Sequence, residues 1–191
     1  MPIQRAKPRL VDLDQTPLTS VTSSDLPAGS VLQVQHRNHN PLVASTSQTF
    51  IDITNYNVTI TPVSASNKVL LIVCPSWGTN GHGSLRITRK IGSASASVLS
   101  IAVGDQELGS RTAATFHSYR TTTDAQSYDQ KHEGITILDT PNTTDAVLYQ
   151  VQGAVPYSSS YTFVFNRQYS EANYTYSARV RSSMTAMEIK G

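Results

Sequence analysis

One cysteine, Cys74, excludes an intramolecular disulfide, so a chain of 191 residues must be held by burial and hydrogen bonding. Charge is scarce as well: 15% of the residues are charged, against about 25% in an average globular domain. The net charge of +2 lacks the clustered basic face that a nucleic-acid binder needs. No apolar run approaches about 18 residues, so no membrane-spanning helix is expected. The opening "MPIQRAKPRLVDL" has no apolar stretch of about 7–15 residues, so it does not read as a secretory signal. If the protein works outside a cell, assembly into a particle released by lysis would put it there. Also missing are a repeat of fixed period and any three-turn stretch with apolar residues at helical spacing.

What remains is a chain rich in Ser, Thr, Asn and Gln, which must supply its solubility, as is common in extracellular and viral β-proteins. From Gly29 onward the pattern is β. Tyr56, Val58 and Ile60 alternate with Asn57, Thr59 and Thr61, the period of a half-buried strand. "KVLLIVC" (68–74) is a short continuous apolar run that reads as a strand buried on both faces, with Cys74 as a small buried hydrophobe. Leu85 and Ile87 point inward from "SLRITRK". Adding Ser30–His36, "SVLSIAV", "TAATFHSY", "GITILD", "AVLYQVQ", "YTFVFN" and "SSMTAMEIK" gives about ten short strands between Gly/Ser/Asn/Pro turns. That is the signature of a β-sandwich or barrel.

Residues 1–28 read differently. Pro2, Pro8, Pro17 and Pro27 bias them toward extended backbone. Ile3, Leu10, Val11, Leu13 and Leu18 give this arm more apolar surface than a disordered tail needs. The expectation is an extended N-terminal attachment arm (1–28) that docks on another chain, with a frayed terminus as the plainer alternative, followed by one β-domain (29–191). Arg5, Lys7 and Arg9 occupy alternate positions and would share one face of an extended arm, either toward an acidic partner or simply in solvent.

Catalytic patterns are weak. His36 and His39 in "HRNH" are three apart, which on a strand sets them on opposite faces. "GTNGHG" has the glycines of a phosphate loop but neither its Lys-Ser/Thr nor a following helix. Asp105 and Glu107 share a strand face without a cleft to span. Asp139, Asn142 and Asp145 could meet around calcium, although turn chemistry explains them equally well. No enzyme, cofactor or metal is expected.

Recognition residues are more plausible. Two connections are longer than hairpins need, 75–84 and 120–133, and long loops are usually functional or disordered. The candidates are Trp77, Asn80 and His82 in the first, with Tyr119, Tyr128 and His132 in or beside the second. The second half of the chain also carries Tyr157, Tyr161, Tyr169, Tyr174 and Tyr176. Tyrosine offers rigid amphipathic contact area at low entropic cost, although it also simply populates strands, which explains most of these positions equally well.

Five segments occur in one order: "LPAGSVLQVQ" (26–35), "FIDITNYNVTITPVSASNKVLLIV" (50–73), "LDTPNTTDAVLYQVQ" (138–152), "FNRQYSE" (165–171) and "SSMTAMEIKG" (182–191). Together they resemble a family of tailed-phage virion proteins, abundant in phages of cyanobacteria and other aquatic hosts and similar to tail-fibre domains. The resemblance covers residues 26–191 and implies a jelly-roll-like antiparallel β-sandwich of a trimer-forming type. It implies a virion location, on the tail or the capsid surface, with the arm held by another virion protein and the loops facing a host-surface glycan or protein. "VLQVQ" and "MTAMEI" are expected to lie near each other at the base of the domain. Members are often the distal part of a longer fibre, whereas here a short arm precedes the domain. A capsid decoration or head-fibre protein, whose arm clamps shell subunits, is therefore the nearest alternative. A glycan-binding lectin-like module, stacking Trp77 and tyrosines on sugar rings, is the alternative of another class.

Overall fold

The computed structural model describes residues 22–104, 110–119, 129–175 and 177–191. The arm residues Ile3, Arg5, Lys7, Arg9, Leu10, Val11, Leu13 and Leu18 lie outside these, as do Asp105, Glu107, Tyr128 and Tyr176. Thirteen strands are found among the described residues: β1 Val31–His39, β2 Val43–Ser45, β3 Ile51–Ile60, β4 Lys68–Cys74, β5 Ser76–Thr79, β6 Gly83–Ile91, β7 Ser97–Val98, β8 Phe116–Ser118, β9 Lys131–His132, β10 Ile135–Asp139, β11 Val147–Ala154, β12 Phe163–Phe165 and β13 Ser182–Ile189. The only helical pieces among those residues are two short 3-10 turns, Ser23–Asp25 and Ser100–Ala102. The all-β expectation holds. The count exceeds ten because β2, β5 and β9 carry too few residues to show a period.

The pairings make these pieces a jelly roll. One sheet has the order β1-β13-β4-β10 and a second the order β2-β12-β5-β9, all antiparallel. Each strand of the second continues a strand of the first, so the two are halves of one creased sheet. Facing it is β3-β11-β6-β7, with β8 extending the edge of β6 beside β7. Merging interrupted strands leaves eight runs. Along one sheet their order is first, eighth, third, sixth; along the other it is second, seventh, fourth, fifth. A long hairpin rolled onto itself gives that order, the double Greek key of jelly-roll sandwiches. Apolar side chains of both sheets meet between them, including Ile53, Leu71, Leu85, Ile87, Phe163 and Met184.

Three buried polar devices hold this geometry. At the crease, Asn166, in left-handed backbone (φ 59°), follows β12. Its Nδ2 donates to His39 Nδ1 (3.0 Å) and Pro41 O (2.9 Å), and its Oδ1 accepts from Ser182 N (2.9 Å) and Oγ (2.8 Å). Between the sheets, Asp139 accepts from Arg89 Nη1 (2.7 Å) and Tyr149 Oη (2.7 Å). In β3, five steps from Asp52 to Asn57 face only two along β11 from Gln150 to Gln152. Asn55 turns this bulge with φ 62°. Gln150 fills it, donating to Ile53 O (2.8 Å), Tyr56 O (3.2 Å) and Val151 O (2.8 Å) and accepting from Asn57 Nδ2 (2.9 Å). Such bulges leave backbone groups unpaired, and here the amide satisfies them.

Two readings of β4 need correction. Val69, Leu71 and Val73 are fully buried, but Leu70, Ile72 and Cys74 on the other face are only half-buried. Cys74 is thus on the outer side of the sheet rather than in the core. Leu70 belongs to a straight apolar row across all four strands. Val34 pairs with Met187, Met187 with Leu70, and Leu70 with Leu138. The row's two ends, Val34 and Leu138, are 51% and 49% exposed.

The sandwich has two poles. "VLQVQ" and "MTAMEI" are neighbours in β1 and β13, so the segment entering β1 and the C-terminal residues meet at one pole. There Lys190 Nζ donates to Ser24 O (2.9 Å) and Leu26 O, and Gly29 N donates to Lys190 O (2.8 Å). The turns Thr79–Gly83 and Ala154–Phe163 form the other pole. The run from Lys68 to Thr79 separates them by a contour of about 35 Å at strand rise.

Candidate binding pocket at the far pole

The pocket is built by glycines and strand period. The β5–β6 hairpin is closed by Thr79, whose Oγ1 accepts from Gly81 N (3.2 Å) and donates to His82 O (3.2 Å). A Cβ on Gly81 would lie 2.0 Å from the Tyr161 ring, and one on Gly83 would lie 2.8 Å from the Trp77 ring. Gly81 and Gly83 of "GTNGHG" therefore let aromatic rings lie flat against the chain; they do not cradle a phosphate. Asn80 fastens the hairpin to the β11–β12 turn, accepting from Thr162 N (2.7 Å) through its side chain.

His82 is left facing an aromatic cluster. Its ring centroid is 4.3 Å from Tyr119, 4.9 Å from Tyr157, 5.3 Å from Tyr161 and 6.4 Å from His117. Burial against these rings, reinforced by His117, pushes its pKa below the ordinary histidine value. In β8, Phe116 and Ser118 point inward while His117 is exposed, and Tyr119, just past the strand, follows the same phase. His117 Nδ1 lies 2.9 Å from Ser84 Oγ, and these two residues are direct cross-strand partners. Tyr119 is 58% exposed and Tyr157 72%.

Around this cluster opens a cleft of about 590 Å³ lined by His82, Ser84, Ser110, Arg111, Thr112, His117, Pro156 and Tyr157. Its volume is that of a small-molecule site, typically about 300–1,000 Å³. Its described lining residues include Arg111 and the two imidazoles of His82 and His117.

Sequence reasoning found part of this site. Asn80, His82 and Tyr119 come together as one pole, with Asn80 in a positioning role. Trp77 does not join them. It is fully buried in β5 and donates from Nε1 to Glu133 Oε2 at 3.0 Å, so its indole is core rather than a recognition surface. Residues 76–79 read as loop because they are short and contain Gly78, yet a Cβ there would meet Asp129 O at 2.9 Å, a spacing only glycine tolerates. His132 is exposed on edge strand β9 opposite Ser76 and lines no part of the cleft. Tyr128 is outside the described residues. His117, Arg111 and Ser84 were missed. The alternation in "FHSY" was the available signal for His117; no local pattern marks the others.

The geometry suits binding better than covalent chemistry. Ser84 Oγ meets His117, but Ser84 is fully buried in a central strand, which bars approach to it as a nucleophile. His36 and His39 lie on opposite faces of β1, the first exposed and the second 1% exposed. Asp139 turns inward to Arg89 and Tyr149 while Asp145 lies beside Gly92, so these carboxylates do not converge. Among the described residues, no three His, Cys, Asp or Glu side chains are grouped to hold a metal ion. No protein-family profile matches the chain, and no curated protein is significantly similar to it.

Proposed function

We propose that this protein is a non-enzymatic structural component of a tailed-phage virion, a short tail-fibre-like protein anchored by its N-terminal arm. In this reading it forms a homotrimer and presents the far pole to a host surface. The observation that carries the reading is the polarity of the sandwich. The arm enters β1 beside the C-terminal residues, and an open cleft with exposed tyrosines lies at the opposite end. A rigid sheet between an anchor and a set of loops is the arrangement expected of a display domain. The apolar row from Val34 to Leu138 supports self-association, since contiguous exposed apolar surface marks contact sites. The resemblance of residues 26–191 to phage fibre proteins favours three-fold symmetry.

The test is deletion of residues 1–21. The truncated chain is expected to fold, with an unchanged circular dichroism spectrum, and to be absent from particles assembled in its presence. Incorporation at full occupancy would overturn the anchoring role. Labelled imaging of particles carrying the full chain separates this reading from a capsid decoration or head-fibre protein, because label on the shell would assign the arm to shell subunits.

A further inference from the structure

We infer that the outer apolar row of each domain is the seat for residues 10–14 of a neighbouring copy's arm. This rests on the reading of the protein as an arm-anchored oligomer, and it names the contact that joins the copies. The row is narrow. Val34, Met187, Leu70 and Leu138 cross the four strands at one level. The next outward-facing level toward the far pole is His36, Thr185, Ile72 and Thr136, where His36 Nδ1 lies 2.7 Å from Thr185 Oγ1. On the base side the same face carries Ile189 and its partner Lys68, which is exposed. The apolar strip is thus one side chain wide, with polar groups on both borders.

That shape decides between occupants. Pressing the sheet faces of two copies together would also take His36 and Thr136, both exposed, out of water. A single extended segment covers the strip and leaves the polar level hydrated. The stretch "LVDLD" (10–14) has the matching pattern: in extended backbone Val11 and Leu13 share one face, and Asp12 and Asp14 the other. The aspartates are opposite in charge to Lys68 at the border of the strip. The exit point favours a neighbouring copy over the arm's own domain. The turn Ser23–Asp25 shares a cleft with Leu32, Val63, Asn67 and Gly191 at the end of the sandwich, so the chain leaves beneath the domain and not on the face that bears the row. From Val11 to Thr22 an extended chain spans about 36 Å, enough to reach a copy alongside. Such an exchange is heterologous, each copy giving one arm and receiving one, and it can close into a ring of three. Arg5, Lys7 and Arg9 lie beyond the docked stretch and remain for attachment to another virion protein.

The experiment uses the full chain. A benzophenone side chain in place of Leu13 is photoactivated, and the adducts are sized on a denaturing gel and mapped by mass spectrometry. Adducts between two chains are expected, on peptides that contain Met187 or Leu70. In sedimentation, Val11→Asp with Leu13→Asp should raise the concentration at which the oligomer dissociates by roughly tenfold or more, as the loss of two buried apolar side chains requires. Both positions precede the β-domain, and circular dichroism checks that the variant is folded. Adducts confined to single chains would overturn the inference, because the arm would then cover its own domain. So would an oligomer that the double substitution leaves unchanged, which would assign the row to the sheet face of a second copy. Particle occupancy of the native chain is read separately, so failure here is distinct from failure of the anchoring role.

Discussion

Asn166 Nδ2 donates to His39 Nδ1 at 3.0 Å, and this contact sits where the sheet creases between β1 and β2 and between β12 and β13. Nε2 of the same imidazole is 2.9 Å from Thr54 O. With Nδ1 accepting and Nε2 donating, His39 is the neutral Nε2–H tautomer. The "FNRQ" stretch that contributed to the phage resemblance thus places its asparagine at the centre of a structural network.

Asn166→Ala removes two donated and two accepted bonds from a buried site and puts alanine in left-handed backbone. The expected loss is roughly 3 kcal/mol or more. Asn166→Gly keeps the backbone conformation accessible and loses only the amide. Urea unfolding of both variants apportions the effect, and near-equal losses would assign it to the amide.

Stability should depend on pH through His39. Burial lowers its folded pKa below the unfolded value near 6.5. The unfolded chain therefore binds the proton first. Stability is full above about pH 6.5 and falls as pH drops from there toward the folded pKa, where the loss levels off. His82, also lowered, acts in the same direction. Thermal melts from pH 8 to pH 5 should show Tm falling below about pH 6.5, with a shallower fall in His39→Gln. A flat profile for the native chain would contradict the assignment of a neutral buried His39.

Tyr149 Oη donates to buried Asp139 at 2.7 Å, beside Arg89. Tyr149→Phe preserves the ring and deletes one charge-assisted bond, so a loss of about 1.5–3 kcal/mol is expected. Arg89→Met should cost more, roughly 3–5 kcal/mol, because it strands the carboxylate. Denaturation midpoints compared with the native chain would check the order of the two.

The apolar row gives a prediction about assembly. Val34→Lys with Leu138→Lys places two cations at its exposed ends. Sedimentation at micromolar concentration is expected to show an oligomer for the native chain and a monomer for the double variant, with unchanged circular dichroism. A native monomer would mean that the row is not an interface between copies.

Local chemistry made much of this fold readable. Tyr56, Val58 and Ile60 alternate inward as their period requires, and "SSMTAMEI" does the same in β13. Proline and glycine mark the turns. The cleft was half readable: His82 and Tyr119 stood out in and beside loops, but Trp77 misled because its neighbours look like turn residues. Ser84 gave no sign of its role, since a serine inside an alternating strand is ordinary until its cross-strand partner is known.

Short-range order, which depends on side-chain period and turn propensity, was settled along the chain: an all-β domain with few charges and no disulfide. Which strands are neighbours was not. Jelly-roll pairing brings β1 beside β13 and β6 beside β8, and the contacts that fix it span large sequence separations. The same pairing decided that Leu70 faces outward in a row, that Gln150 fills the β3 bulge, and that His82, His117 and Tyr157 meet at one pole. Those outcomes depend on strand register and sheet packing, which a single segment does not encode because its period is the same whichever partner it finds.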